Sequence, residues 1–94
     1  MIRFKDKYKF KKNMTLKEIR ETSIKAFNEL KCVYEFLSTK GRRELILLNS
    51  ISEMAQESQN KEEFINRLQC FAENPRSGNE PIRKEAKRFL KQLQ

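Results

Sequence analysis

The chain has 94 residues, which is enough to bury one hydrophobic core but not two. Hydrophobic residues make up 37% of it and charged residues 36%, a balance typical of amphipathic helices with charged outer faces. The net charge of +8 favours an anionic partner. Only two glycines and two prolines interrupt the chain, so most of it can lie in continuous helix.

The excess positive charge lies at the two ends of the chain. Residues 1–12 contain six Lys and Arg against Asp6 alone, and residues 81–94 contain five against Glu85 alone. The 68 residues between them carry ten basic and eleven acidic side chains, a net charge of −1. Charge that is gathered in two segments indicates an anionic partner more strongly than the same charge spread evenly.

Residues 1–13 are predicted to form an extended basic arm, because apolar and basic side chains alternate along them. Phe4, Tyr8 and Phe10 stand at even positions, and basic residues occupy most odd positions. A single strand is not stable alone. The arm therefore packs over the helices, folds on a partner, or adds a strand to a partner's open sheet edge. We favour packing over the helices, because the apolar side chains would otherwise stand in water.

A first helix is predicted to begin at Thr15, because Thr15 and Glu18 form a capping-box pair. Apolar residues then recur every three or four positions as far as Leu37. We expect Lys40 and Gly41 to end this helix, with Gly41 in the left-handed conformation. The predicted buried stripe consists of Leu16, Ile19, Ser23, Ala26, Phe27, Leu30, Val33, Tyr34 and Leu37.

A second helix is predicted over residues 42–58. It should be the most buried helix, because apolar residues cover more than half of its circumference near residues 45–48. A break at residues 49–50 is an alternative that would give five helices in all, since Ser50 and Glu53 also form a capping-box pair.

Two more helices follow. Asn60 is a capping residue for the third helix, with acidic side chains in its first turn. Residues 74–79 are rich in turn formers, and Pro81 suits the start of the last helix. Amphipathic helices become stable by packing on each other. The sequence therefore predicts an all-α fold, in which residues 14–94 form one compact bundle of four or five helices.

No catalytic site, metal site or cofactor is predicted, so we do not expect an enzyme. The chain has no histidine and therefore no side chain whose ordinary pKa lies near neutrality. Gly41 and Gly78 are the only glycines, which leaves no glycine-rich phosphate loop. Cys32 and Cys70 cannot supply the four ligands that zinc requires. Both cysteines are expected to be small buried core residues of a reduced protein.

The cellular location is expected to be cytoplasmic or otherwise intracellular. The longest aliphatic run, residues 45–48, is too short for a secretory signal or a membrane-spanning helix. Delivery by a specialised secretion machine would leave no such signal.

The basic side chains of the two end segments are the predicted partner-binding residues. Those of the last helix form rows spaced by four residues, which suit an acidic protein surface, phosphates or anionic lipid. Arg42 and Arg43 are a weaker candidate pair for gripping a phosphate or carboxylate. The predicted contact set is Arg3, Lys5, Lys7, Lys9, Lys11, Arg83, Lys84, Lys87, Arg88 and Lys91.

We expect a small helical binding module, an adaptor, inhibitor or regulator, that docks an acidic protein surface. The alternative is a nucleic-acid-binding protein, in which the same cations contact phosphates while Phe4, Tyr8 and Phe10 stack on bases. Attachment to an anionic membrane is a third interpretation. Formation of a homo-oligomer through surplus apolar surface on the second helix is a fourth.

Overall fold

The computed structural model describes residues 10–94, and four α-helices make up most of this part of the chain. Helix α1 spans Leu16–Cys32, α2 spans Thr39–Glu57, α3 spans Lys61–Glu73 and α4 spans Glu80–Leu93. A 3-10 turn at Tyr34–Phe36 lies between α1 and α2. Residues 10–94 contain no strand, which confirms the predicted all-α bundle.

Each α-helix begins at a side chain that caps an otherwise unpaired amide of the first turn. The Oγ1 of Thr15 accepts a hydrogen bond from the Glu18 N–H at 3.2 Å, and the Glu18 carboxylate accepts one from the Thr15 N–H. This is the predicted capping box. The Oδ1 of Asn60 accepts from the Glu63 N–H at 2.8 Å, and Asn79 caps α4 in the same way. These polar side chains determine where the helices start.

The end of α1 differs from the prediction, because α1 stops at Cys32 and not at Gly41. Ser38 caps the next helix, and its Oγ accepts a hydrogen bond from the Gly41 N–H at 3.2 Å. Gly41 thus lies in the first turn of α2 and does not have a positive φ, so the predicted left-handed stop was wrong. The β-branched Val33 and the aromatic residues after it are weak helix formers. The chain reverses direction at these residues.

Helix α2 is continuous through residues 49–50, so the bundle has four helices in the described part of the chain. It buries more residues than any other helix, as predicted from its broad apolar surface. The buried residues of α2 are Glu44, Leu45, Leu47, Leu48, Ile51, Ser52 and Ala55.

Helix α2 occupies the centre of the bundle and contacts the other three helices. Helix α1 packs chiefly against α2, and α4 packs against both α2 and α3. The start of α1 lies beside the end of α2, because the Arg20 guanidinium donates hydrogen bonds to the carbonyls of Ala55 and Ser58. The two helices are therefore antiparallel. No helix within residues 10–94 combines the length and the apolar character needed to cross a bilayer.

The last part of the predicted arm packs over the helices. The Phe10 ring is 4% exposed and meets the Phe89 ring edge-on, with 4.9 Å between ring centroids. The Lys61 ammonium group donates a hydrogen bond to the Lys12 carbonyl at 2.7 Å. The conformation predicted for residues 1–9 lies outside the described residues.

Candidate functional site

Helix α4 carries its apolar and basic residues on separate sides. Four apolar residues, spaced by three or four positions from Ile82 to Leu93, are buried against the bundle. At about 100° per residue, the five cations of the helix fall within an arc of about 140° on the other side. We call this arc the α4 basic face; it consists of Arg83, Lys84, Lys87, Arg88 and Lys91.

Four of the five cations on the α4 basic face are exposed, and Arg83 is the exception. Arg83 is half-buried, and its Nε is a buried donor without a hydrogen-bond partner in residues 10–94. Arg83 is therefore packed against the bundle and less accessible than the other four. The accessible charge of the face is carried by Lys84, Lys87, Arg88 and Lys91.

One ion pair forms on α4 within the described part of the chain, between Arg88 Nη1 and the Glu85 carboxylate at 3.0 Å. The Arg88 side chain is half exposed, so this pair contributes less than about 1 kcal/mol. The lysines of the face form no ion pair with any residue of 10–94. Most of the charge on the α4 basic face is therefore uncompensated by acidic groups of the described chain.

Of the predicted site residues in the arm, Phe10 and Lys11 belong to the described part of the chain. Lys11 is exposed, whereas Phe10 is buried against Phe89. A buried ring has no open face for a nucleobase, so the packing of Phe10 is incompatible with the stacking role predicted for it. The remaining arm residues of the predicted site lie outside the described residues; they are Arg3, Phe4, Lys5, Lys7, Tyr8 and Lys9.

A second exposed surface was not predicted. Val33 and Tyr34 were assigned to the buried stripe of α1, but both are exposed, and the neighbouring Phe36 is 87% exposed. The Arg42 guanidinium lies over the Tyr34 ring, 4.9 Å from its centroid. The capping residue Ser38 was the signal in the sequence that could have shown a helix start here, and with it a turn that carries these aromatic residues.

The prediction that both cysteines are buried was wrong, because Cys32 and Cys70 are exposed. Cys70 follows Leu68 by two positions on α3, which turns it about 200° away from that buried residue. Among residues 10–94, no group of three or more His, Cys, Asp or Glu is placed to hold a metal ion.

An open groove lies between α2 and α3, with Met54, Cys70 and Phe71 among its lining residues. Its one cation, Arg67, already pairs with Glu57 at 3.4 Å and Glu63 at 3.1 Å. The groove therefore lacks an uncompensated charge that could anchor an anionic ligand, and it is a weaker candidate than the α4 basic face.

Comparison with protein-family models, with curated proteins and with solved structures finds no match to this chain.

Proposed function

We propose that this chain is a non-enzymatic binding module, an adaptor, inhibitor or regulator, that docks an acidic protein surface through the α4 basic face. The observation that carries the proposal is the segregation of five cations on one side of α4, with a single ion pair among them in residues 10–94. The opposite side of the helix is anchored in the core. The backbone positions that carry the cations are thus fixed relative to one another, so no backbone ordering is required on binding.

The spacing of the cations suits carboxylates on a folded partner. Residues four positions apart on a helix are separated by about 6 Å along its axis, so Lys87 and Lys91 can each pair with a different carboxylate. An acidic helix with Asp or Glu at the same spacing presents a complementary row. Such pairs accelerate encounter and select against basic partners more than they tighten the final complex.

Nucleic acid is the alternative partner for the same cations, since each could neutralise a phosphate. That interpretation also required aromatic side chains to stack on bases, and Phe10, one of the three, is buried. The acidic protein is therefore the partner that we favour, and nucleic acid is an outcome that the experiment must detect.

The test compares the intact chain with two double variants that remove the same charge. Lys87→Gln/Lys91→Gln alters the α4 basic face, and Lys17→Gln/Lys25→Gln alters exposed positions of α1. Each form serves as bait in a native lysate with and without nuclease treatment, and the association rate of the captured protein is measured against salt concentration. We expect the α4 variant to associate about tenfold more slowly at low salt, with the α1 variant close to the unaltered chain.

Three results would reject the proposal. Loss of all captured material on nuclease treatment would assign the face to nucleic acid. Equal effects of the two double variants would show that total charge matters and the α4 basic face does not. A partner bound equally by all three baits, with a rate independent of salt, would place the contact elsewhere on the chain.

A further inference from the structure

The turn between α1 and α2 exposes apolar side chains that a chain of this size would ordinarily bury. Three of the five large hydrophobic residues exposed in residues 10–94 fall in this turn, namely Val33, Tyr34 and Phe36. Tyr34 is 47% exposed and Phe36 is 87% exposed. Exposed apolar side chains concentrated in one short segment indicate a contact site, because their burial free energy is not realised in the isolated chain.

Basic residues lie on both sides of these apolar residues in the sequence. Residues 31–43 contain four basic residues and one acidic residue, a net charge of +3. The first turn of α2 contains no acidic residue, in contrast to the first turns of α1, α3 and α4. None of the four cations forms an ion pair with a residue of 10–94. We call this surface the α1–α2 tip; it consists of Lys31, Val33, Tyr34, Phe36, Lys40, Arg42 and Arg43.

The kinds of side chain at the α1–α2 tip favour a lipid surface over nucleic acid. Val33 is aliphatic and offers no ring to a base, and one face of Tyr34 is covered by the Arg42 guanidinium. Phe36 would then be the main stacking platform. A bilayer interface accommodates all of these side chains at once: aromatic rings lie at the level of the headgroups, aliphatic groups lie against the acyl chains, and cations attract anionic headgroups.

The charge of the tip also disfavours a second copy of this chain as its occupant, because two tips of charge +3 would repel each other. We infer that the α1–α2 tip attaches the protein to an anionic membrane surface, with Phe36 entering the interface first. This contact is separate from the α4 basic face, so either proposal can fail without the other.

The chain contains no tryptophan, which allows a single fluorescent reporter to be placed at the tip. Phe36→Trp is mixed with vesicles of phosphatidylcholine containing about a third of phosphatidylserine, and separately with pure phosphatidylcholine. We expect a blue shift of the emission, and quenching by brominated acyl chains, with the anionic vesicles alone. The matched reporter is Gln59→Trp, at an exposed position just after the end of α2 that lies away from the tip. It should show neither effect.

Co-sedimentation of untagged variants with the anionic vesicles measures the contribution of each component. Phe36→Ala should lower the partition coefficient about tenfold. Arg42→Gln/Arg43→Gln should lower the partition coefficient about 25-fold, since each cation near an anionic surface contributes about a fivefold factor. Lys17→Gln/Lys25→Gln removes two positive charges from positions outside the tip, so it should change the partition coefficient much less. Phe36 and Arg42 are exposed and Arg43 is half-buried, so circular dichroism should show unaltered helix content in these variants.

The inference is overturned if the reporters at Phe36 and Gln59 respond alike, if neutral vesicles give the same shift, or if neither vesicle gives a response. Quenching of the Phe36→Trp reporter by a single-stranded oligonucleotide, without a response to vesicles, would overturn it in favour of nucleic acid.

Discussion

Arg20 connects α1 to the end of α2, and its removal should destabilise the bundle strongly. Its guanidinium donates hydrogen bonds to the carbonyl oxygens of Ala55 at 2.8 Å and Ser58 at 2.7 Å. Both carbonyls lie at the C-terminus of α2, where carbonyls lack partners within the helix and carry partial negative charge. A hydrogen bond to a charged group contributes about 1.5–3 kcal/mol, and two bonds from one side chain are not fully additive. Arg20→Ala should therefore lower the free energy of unfolding by about 3 kcal/mol.

Urea unfolding followed by circular dichroism measures this loss directly, and the melting temperature should fall by about 10–20 °C for a domain of this size. The unfolding free energy of Arg20→Lys should lie between those of the unaltered chain and of Arg20→Ala. An ammonium group keeps the charge but does not present the planar fork of donors. Arg76→Ala is the control, since Arg76 is exposed in the loop before α4 and its removal should change stability by less than about 0.5 kcal/mol. If Arg20→Ala were as stable as Arg76→Ala, the two hydrogen bonds would contribute nothing to the fold.

Three further substitutions test the described packing. Phe10→Ala should lower the unfolding free energy by about 3–4 kcal/mol, because it removes a buried ring that packs edge-on against Phe89; an unchanged thermal midpoint would mean that the arm is not docked. Gly78→Ala should raise the urea midpoint, with a gain of about 0.4–1 kcal/mol. The backbone of Gly78 has no positive φ, and a Cβ would lie 3.4 Å from Ile82, an ordinary contact; a lower midpoint would indicate strain there. The pKa of the Glu63 carboxyl is lowered from its ordinary value of 4.5, chiefly by a hydrogen bond from the Gln59 backbone N–H. A hydrogen bond from the Arg67 guanidinium is the next largest cause. The stability that this carboxylate contributes is present above pH 4.5 and is lost as the pH falls through the lowered pKa. The difference in urea midpoint between Glu63→Gln and the unaltered chain should thus disappear in acid, and a difference that did not change with pH would contradict this.

The starts of α1, α3 and α4 were predictable because their signals are local, whereas the start of α2 was predicted three residues late, at residue 42. Thr15 and Glu18 cap each other across three residues, and Asn60 and Asn79 each cap an amide three residues ahead. A capping side chain bonds amides of the first helical turn, which lie only two or three residues away in the sequence. The basic residues of α4 could likewise be placed on one face, because helical spacing within a few turns is also a local property.

The end of α1 was not predicted, because the apolar pattern continues to Leu37 and the local start signal, the capping residue Ser38, lies outside that pattern. Whether Val33 and Tyr34 are buried depends on how far α2 extends beside α1, and this in turn depends on the helix start at Ser38. The predicted burial of Cys32 was wrong for the same reason, because Cys32 is the last residue of α1. Helical spacing predicts which residues share a face, but a neighbouring helix decides which of them are covered.

The α4 basic face lowers the stability of the helix that carries it, and this makes the proposed function testable without a known partner. Lys87 lies four residues from both Arg83 and Lys91 and three from Lys84, and each like-charged pair opposes helix formation by about 0.2–0.5 kcal/mol. Lys87→Glu converts these repulsions into attractions, so it should raise the free energy of unfolding by about 1 kcal/mol, measured by urea unfolding at low salt. The same change places a carboxylate in the centre of the face and should weaken binding to an acidic partner. Stability and affinity would then move in opposite directions, as expected where charge is retained for binding. If Lys87→Glu lowered stability instead, the lysine would have a structural role in the bundle and would not be kept free for a partner.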